Sequence, residues 1–186
     1  MPVTQRHQGP RQQHIDAICA ASERLKYVPP IDRRAFLHCY YAQADLEDLG
    51  QNPHALAAAA LSHLAFAATR APRTAKVRVF NPTLERDGFT SAYTLVETVN
   101  DDMPFLVDSL GMTLMSMGRA IHATTHPLIE LERAVDGTLT SLATAPGATT
   151  VTESLIHFAI VRETDTDVLK SIEAALRDTL RDVRLA

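Results

Sequence analysis

Apolar and polar residues alternate with two different periods along the chain, and the change falls near residue 75. Before it, apolar residues recur every three or four positions, which predicts helices over residues 14–26 and 53–70, another from residue 32, and a helical turn over 44–49. We therefore predict a helical N-terminal subdomain over residues 14–72, preceded by a disordered polar tail over residues 1–13.

After residue 75 the pattern becomes that of strands, in which successive side chains point to opposite faces. Strands over 76–81 and 92–99 flank a loop rich in turn residues and are predicted to pair as an antiparallel hairpin. The following elements are predicted as a helix over 103–117, strands over 120–131, 138–142 and 154–161, and a last helix capped by Thr164-Asp165. This order predicts an α+β domain over residues 75–186.

The segment over residues 93–133 carries the sharpest local signals. The Asn100–Asp102 turn ends a strand rich in β-branched residues, and its side-chain oxygens are predicted to cap the next helix, with Pro104 in the first turn. Gly118 is predicted to close that helix. Pro127 has no N–H for a strand ladder, so the strand that contains it should be an edge strand or carry a bulge.

Composition limits the class of protein. The 186 residues carry a net charge of -4, with 46% hydrophobic and 22% charged residues, which is typical of a globular protein and not of a nucleic-acid-binding one. No apolar run reaches the roughly 20 residues of a membrane helix, and the polar start is not a secretory signal, so we expect a cytoplasmic protein without a membrane partner. Cys19 and Cys39 are interpreted as reduced thiols, with a disulfide as the less favoured alternative.

Several motifs of enzyme active sites are absent from the sequence. It contains no GxGxxG, no GxxxxGK[ST] and no GxSxG, so it predicts neither a Rossmann turn for NAD nor a serine nucleophile. No metal site is predicted, because HExxH, CxxC and HxH are absent as well. His122 and His126 lie about 13 Å apart on a regular strand and cannot bind one ion together, so they are interpreted as facing solvent or an interface.

Three stretches of the sequence resemble one family. They are DDMPFLVDS with the IH…HP that follows it, FLHCYYAQADLEDLGQNPHALAAAALSHLAFAATR over residues 36–70, and KVRVFNPTLERDGF over residues 76–89. They are similar to the N-terminal regulatory region of the very large class of bacterial NAD-dependent glutamate dehydrogenases. That family oxidatively deaminates L-glutamate to 2-oxoglutarate and ammonia, with NAD bound by catalytic domains downstream. The resemblance implies that this segment is non-catalytic and that the reading frame continues past Ala186.

The resemblance also implies an ACT-like fold, a class of small-molecule regulatory module. Its ferredoxin-like order is β-α-β-β-α-β, whereas the order predicted here begins with an extra strand and lacks the last one. The strand over 76–81 would fill the vacant position beside the strand over 92–99. We therefore expect a permuted ferredoxin-like antiparallel sheet with helices on one face.

ACT-like modules bind amino acids near the loop after the first strand, so the resemblance implies an amino-acid effector here. The acidic turn could receive its ammonium group, although a helix cap is the favoured interpretation of the same residues. A glycine within a helix costs about 1 kcal/mol relative to alanine, which suggests close packing against a helix, a subunit or a ligand at Gly111. The candidate ligand-binding residues are Asn100, Asp101, Asp102, Gly111, His122 and His126.

The role implied by the resemblance is regulation or oligomerisation. The expected partners are the other domains of the same polypeptide, further copies of the chain and a small amino-acid effector. Two alternatives stay open from the sequence: a free-standing amino-acid-sensing module, and a purely structural oligomerisation domain without a ligand.

Overall fold

The structure is a computed structural model that describes residues 9–25, 31–44, 52–143, 147 and 150–185. The helices are α1 (Pro10–Ser22), α2 (Arg33–Tyr41), α3 (Pro53–Ala67), α4 (Leu84–Asp87), α5 (Leu106–Ser116) and α6 (Thr166–Leu185). The strands are β1 (Lys76–Phe80), β2 (Thr94–Asp101), β3 (Ile121–Thr125), β4 (Leu128–Arg133), β5 (Leu139–Leu142) and β6 (Thr150–Ile160). The predicted turn over 44–49 falls almost entirely outside the described residues, as does most of the predicted tail; α1 begins inside the remainder of that tail.

One antiparallel sheet has the order β1-β2-β6-β4-β5, and β3 also pairs with β6. β3 lies along residues 157–160 of β6, and β4 lies along residues 150–154. These two short strands therefore behave as one interrupted strand beside β6. The single strand predicted over 120–131 is in fact broken, because the ladder stops at Thr125 and resumes at Leu128, on either side of Pro127.

The α+β class and the ACT-like arrangement predicted from the sequence are confirmed. β1 lies antiparallel to β2, with Lys76 opposite Val99 and Phe80 opposite Leu95, which is the position that the last strand of a ferredoxin-like sheet would take. Helices α5 and α6 pack on one face of the sheet, as predicted. Their apolar stripes, which include Leu110 and Leu176, form a core with Val96 and Phe158.

Helices α1–α3 cover the opposite face of the same sheet. Their buried residues, among them Phe36 and Leu64, share one core with Val99, Leu131 and Leu155. The N-terminal helices and the sheet therefore form three continuous layers. The division of the chain into a helical subdomain and an ACT-like domain stays a prediction, since the two parts share this core.

Side-chain caps mark two helix starts, one of them at the predicted Thr164-Asp165 cap. The Asn52 side chain accepts hydrogen bonds from the N–H groups of His54 and Ala55 at 3.1 and 3.3 Å, ahead of Pro53. Asp165 accepts from the N–H of Asp167 at 2.8 Å. Both helices therefore begin where their sequence signals place them.

The predicted start of α5 is wrong. The helix begins at Leu106 rather than Met103, and the acidic turn provides no cap. Pro104 disfavours a helical conformation at the residue before it, and Phe105 then takes a left-handed conformation with φ 65°. Residues 102–105 therefore lead the chain out of the sheet, and α5 begins only after them. The predicted end is confirmed, since Gly118 has φ 71° and its N–H bonds to the carbonyl of Met115.

Candidate functional site

Ionisable side chains lie in the middle of the sheet, on the face covered by α1–α3. Strand alternation points Glu97 and Asp101 of β2 to this face, directly opposite His157 and Glu153 of β6. Glu97 and Glu153 are fully buried. A buried carboxylate is costly without charged or hydrogen-bonding partners, so each must be explained by its neighbours.

The first group, which we call the histidine cluster, consists of Tyr40, His63, Arg78, Glu97 and His157. Arg78 donates from Nε to Glu97 Oε2 at 2.7 Å, and its Nη2 forms a second, closer contact with the same carboxylate. His157 Nδ1 lies 3.2 Å from Glu97 Oε1. His63 bonds on both sides, to the Tyr40 hydroxyl at 2.8 Å and to the carbonyl of Thr98 at 3.0 Å. Elements α2, α3, β1, β2 and β6 thus meet at one buried carboxylate.

Burial and the neighbouring groups together determine the charges of Glu97 and His63 in this cluster. Burial alone would raise the pKa of Glu97, but the histidines and Arg78 favour the carboxylate and bring that pKa to about 2. Burial lowers the pKa of His63 to about 4, against the attraction of Glu97. Neutral His63 must donate from Nε2 to the carbonyl of Thr98, and its Nδ1 then accepts from the Tyr40 hydroxyl.

His63, Glu97 and His157 are also the residue types of a two-histidine, one-carboxylate metal centre. One ligand atom from each lies within 4.8 Å of the others. However, the Arg78 guanidinium already neutralises Glu97, and His63 uses both ring nitrogens in hydrogen bonds. A divalent cation would have to enter beside a fixed positive charge. The geometry therefore supports a hydrogen-bonded network in preference to a metal centre.

The second group, the arginine cluster, consists of Arg70, Asp101, Arg133, Glu153 and Arg184. Glu153 Oε1 accepts from Nε and Nη2 of Arg70 at 2.9 and 2.7 Å and from Nε of Arg133 at 2.6 Å. Its Oε2 accepts from Nη2 of Arg133 at 2.7 Å. Asp101 accepts from Arg70 at 2.6 Å and from Arg184 at 2.8 Å. Arg70 follows α3 on one face of the sheet, and Arg184 lies in the last turn of α6 on the other face. The arginine cluster therefore connects the helical layers on the two faces.

Three guanidiniums face two carboxylates in the arginine cluster, which leaves one excess positive charge. Burial favours the neutral form of Asp101, but hydrogen bonds from Arg184 and Arg70 outweigh it and hold the pKa of this carboxyl below its ordinary value. Asp101 is therefore an ion-pair partner for two arginines. An effector's ammonium group would have to compete with both of them.

A cavity of about 360 Å³ adjoins the histidine cluster between the sheet and helices α2 and α3. His157 and Thr125 lie on its floor, and Tyr93 and His122 stand beside its mouth. The rings of Tyr93 and His122 stack, with their centroids 4.2 Å apart and 13° between their planes. The arrangement is that of a small-molecule pocket: mostly apolar walls with a few convergent polar groups.

The structure separates the predicted ligand-binding residues into two groups. Asn100 and Asp101 bond to Arg184, Asp102 is exposed, and His126 bonds through Nε2 to Ser154, the residue opposite Asn100. Burial lowers the pKa of His126 and the nearby Asp102 opposes that shift, so these four residues are neighbours.

Gly111 and His122 lie elsewhere. A Cβ on Gly111 would be 3.8 Å from Ile121, which pairs with Ile160. Ile160 and Ser154 are six residues apart on β6, a span of about 20 Å. The six residues therefore do not converge on one site, and an effector at the acidic turn stays a prediction. Gly111 has space for a methyl group, so close packing against the described residues of this chain does not account for it, and packing against a subunit or a ligand stays a prediction.

Sequence reasoning missed most of both clusters. The hydrogen-bond partners of His63, Tyr40 and Thr98, are 23 and 35 residues away along the chain. A signal was present in the strands themselves. Glu97 and His157 lie within the predicted strands over 92–99 and 154–161, and Glu153 comes directly before the second of them. An ionisable residue in a buried strand requires a partner.

The layered sheet with its ferredoxin-like strand order defines an ACT-like module. Comparison with known proteins gives the same result in finer detail. The family model described as "Glutamate dehydrogenase, ACT1 domain" matches residues 36–176, and the chain belongs to this family.

Two curated relatives are named NAD-specific glutamate dehydrogenase. The protein from Halomonas elongata is 33% identical over 187 aligned residues, which cover 97% of this chain and 12% of the relative. The protein from Pseudomonas aeruginosa is 34% identical over 112 residues, which cover 59% of this chain and 7% of the relative. The chain thus spans about an eighth of the first relative's length.

No solved structure matches the chain significantly. Among the described residues, none of the helices combines the length and the apolar character that crossing a membrane would require.

Proposed function

We propose that this chain is a regulatory or oligomerising part of an NAD-dependent glutamate dehydrogenase that converts L-glutamate to 2-oxoglutarate and ammonia. The family match over residues 36–176 carries this proposal. It is supported by the names of both relatives, which are dehydrogenases several times longer than this chain. NAD is then the cofactor of the whole enzyme and is bound outside this segment.

The arrangement of charged groups favours a non-catalytic role. Glu97 and Glu153, the fully buried carboxylates of the two clusters, are each held by arginine and lie within the packed layers. Groups that are paired in this way fix the geometry of the layers and are not free to exchange protons with a substrate. The partners that this role requires are other domains of the same polypeptide and further copies of the chain.

The enzyme class is tested by following NADH absorbance with the intact polypeptide that contains this chain. We expect NADH to form with L-glutamate and NAD, and not when D-glutamate or L-aspartate replaces L-glutamate. Absence of turnover with L-glutamate, or equal turnover with L-aspartate, would contradict the proposed activity. Sedimentation velocity of the 20.4 kDa chain tests self-association, for which we expect a mass that is a multiple of the monomer.

A further inference from the structure

The cavity beside the histidine cluster has the size and lining of a small-molecule site. Its volume of about 360 Å³ is at the low end of the range of about 300–1,000 Å³ for ligand pockets, which excludes a dinucleotide. Its apolar wall comes from Tyr41, Leu56, Ala59, Phe89, Leu95 and Ala159. A ligand that fills it must therefore present an apolar body to most of the surface.

The described lining of this cavity offers no counter-ion to a charged ligand. None of the described lining residues is Asp, Glu, Lys or Arg. The ion pair next to His157, formed by Glu97 and Arg78, is already balanced. Burying a charge is costly unless the charge is paired, so the lining favours an uncharged ligand.

His157 presents an unpaired acceptor to the cavity. The ionised Glu97 can only accept, so Nδ1 of His157 carries the hydrogen of their contact. In the neutral ring, Nε2 then keeps its lone pair and accepts. The residue is 8% exposed and lines the cavity, and Nε2 has no hydrogen-bond partner within the described part of the chain. A buried acceptor without a partner is costly, and a donor on a ligand would pair it.

Two tyrosines of α2 add further acceptors to the cavity lining. The Tyr40 hydroxyl donates to Nδ1 of His63, and the Tyr41 hydroxyl donates to the carbonyl of Leu56, both at 2.8 Å. A phenol has a single hydrogen, so both oxygens have only acceptor capacity left. Together with Nε2 of His157, these groups favour a ligand that donates hydrogen bonds.

We infer that this cavity binds a small uncharged molecule with an apolar body and a hydrogen-bond donor, an amide N–H or a hydroxyl, that donates to Nε2 of His157. The ligand enters past the exposed Thr90 and His122, which line the mouth. If the proposed function holds, this molecule is an effector of the dehydrogenase. Binding is a property of the chain itself and is measured without the enzyme reaction, so its failure and the failure of the proposed function are distinguishable.

Titration calorimetry on the 186-residue chain at pH 8.5, where histidine rings are neutral, tests the inference with probes of one shape. 4-Methylpentanamide carries the donor, 5-methylhexan-2-one has a methyl group in place of the amide nitrogen, and 4-methylpentanoate carries a charge. We expect saturable binding of the amide and at least about tenfold weaker binding of the other two, because neither can donate to Nε2.

Three results with these probes would overturn the inference. Without binding of the amide, the cavity is not a site for uncharged donors. Equal binding of the ketone would show that the donor is not recognised. Tighter binding of 4-methylpentanoate or of 4-methylpentylammonium than of the amide would show that the ligand is an ion.

Variants locate the site. His157→Asn keeps an N–H donor for Glu97 near the position of Nδ1 and removes Nε2, so affinity for 4-methylpentanamide should fall at least about tenfold. His54→Asn is the matched control, since His54 is exposed on α3 and does not line this cavity; its affinity should equal that of the parent. Ala59→Leu should fill the cavity and abolish binding.

Thermal melts show whether each variant is folded. Unchanged affinity in folded His157→Asn or Ala59→Leu would overturn the inference. If His157→Asn does not fold, Ala59→Leu and the comparison of probes on the parent chain decide it.

Discussion

Replacing Glu153 with glutamine should destabilise the fold more than most single substitutions. Glu153 is fully buried and accepts four hydrogen bonds from Arg70 and Arg133, whose side chains are 2% and 7% exposed. Glu153→Gln keeps the size of the side chain but removes its charge. Two buried guanidiniums then face each other with one carboxylate fewer in the arginine cluster.

The size of the effect follows from the burial of these charges. Removing one partner of a buried ion pair costs about 3–5 kcal/mol, because the remaining charge loses its compensation and stays out of water. Total stabilities of single domains are about 5–15 kcal/mol, so we expect the variant to lose about a fifth of its stability or more. Arg133 also donates to the carbonyls of Ala67 and Gly137, so the loss should loosen the end of α3 and the β4–β5 turn.

Urea unfolding at low ionic strength is the suitable assay, because guanidinium chloride would screen the charges under test. Asp178→Asn is the control, since its pair with Arg181 has both side chains more than 60% exposed and should change stability by less than about 1 kcal/mol. A Glu153→Gln variant within 1 kcal/mol of the parent would refute the view that the arginine cluster holds the layers together.

Three further predictions concern stability. Leu110→Ala removes a fully buried side chain from the core under α5, and thermal melts should show a loss of about 2–5 kcal/mol. Gly111→Ala should instead stabilise the fold by up to about 1 kcal/mol, because its Cβ would make an ordinary contact; a lower melting temperature would contradict this. Acidification should destabilise the fold in two steps, because both relevant pKa values are lower in the folded state. The contribution of His63 to the free energy of unfolding is complete above its ordinary pKa of 6.5 and is lost as the pH falls towards 4, the pKa in the folded state. Between pH 7 and 5 this loss is about 2 kcal/mol. The contribution of Glu97 to the free energy of unfolding is complete above its ordinary pKa of 4.5 and is lost as the pH falls towards 2. Urea unfolding at a series of pH values measures both, and His63→Gln should flatten the first step.

Local signals were sufficient to predict most of the elements. The alternation in β1 and β2, the Asn52 and Asp165 caps and the apolar stripe of α6 all depend on residues within a few positions of one another. The permuted sheet could also be predicted, because the extra leading strand and the missing last strand leave one compatible position.

The start of α5 could not be predicted from the same kind of signal. The Asn100–Asp102 turn reads as a helix cap, but long-range contacts outweigh the local preference. Asp101 is drawn to Arg70 and Arg184, and the N–H of Asp102 bonds to the carbonyl of Thr152 in β6. Strand β2 therefore continues through Asp101, and helix α5 begins at Leu106.

The buried clusters lay beyond sequence reasoning for a similar reason. Arg70 and Glu153 are 83 residues apart, and Glu97 and His157 are 60 apart. Which charge meets which carboxylate depends on strand register, and a shift of one residue would turn every one of these side chains to the other face. The individual anomalies, such as a glutamate within an apolar strand, are visible in the sequence, but their partners are not.

The central claim, that this chain serves a glutamate dehydrogenase without carrying its chemistry, is tested most directly by one rate. Initial NADH formation from L-glutamate and NAD should be measured for this chain and for the intact polypeptide at equal molar concentration. We predict steady turnover by the intact polypeptide and none above background by the chain alone. Turnover by the purified chain would contradict the account.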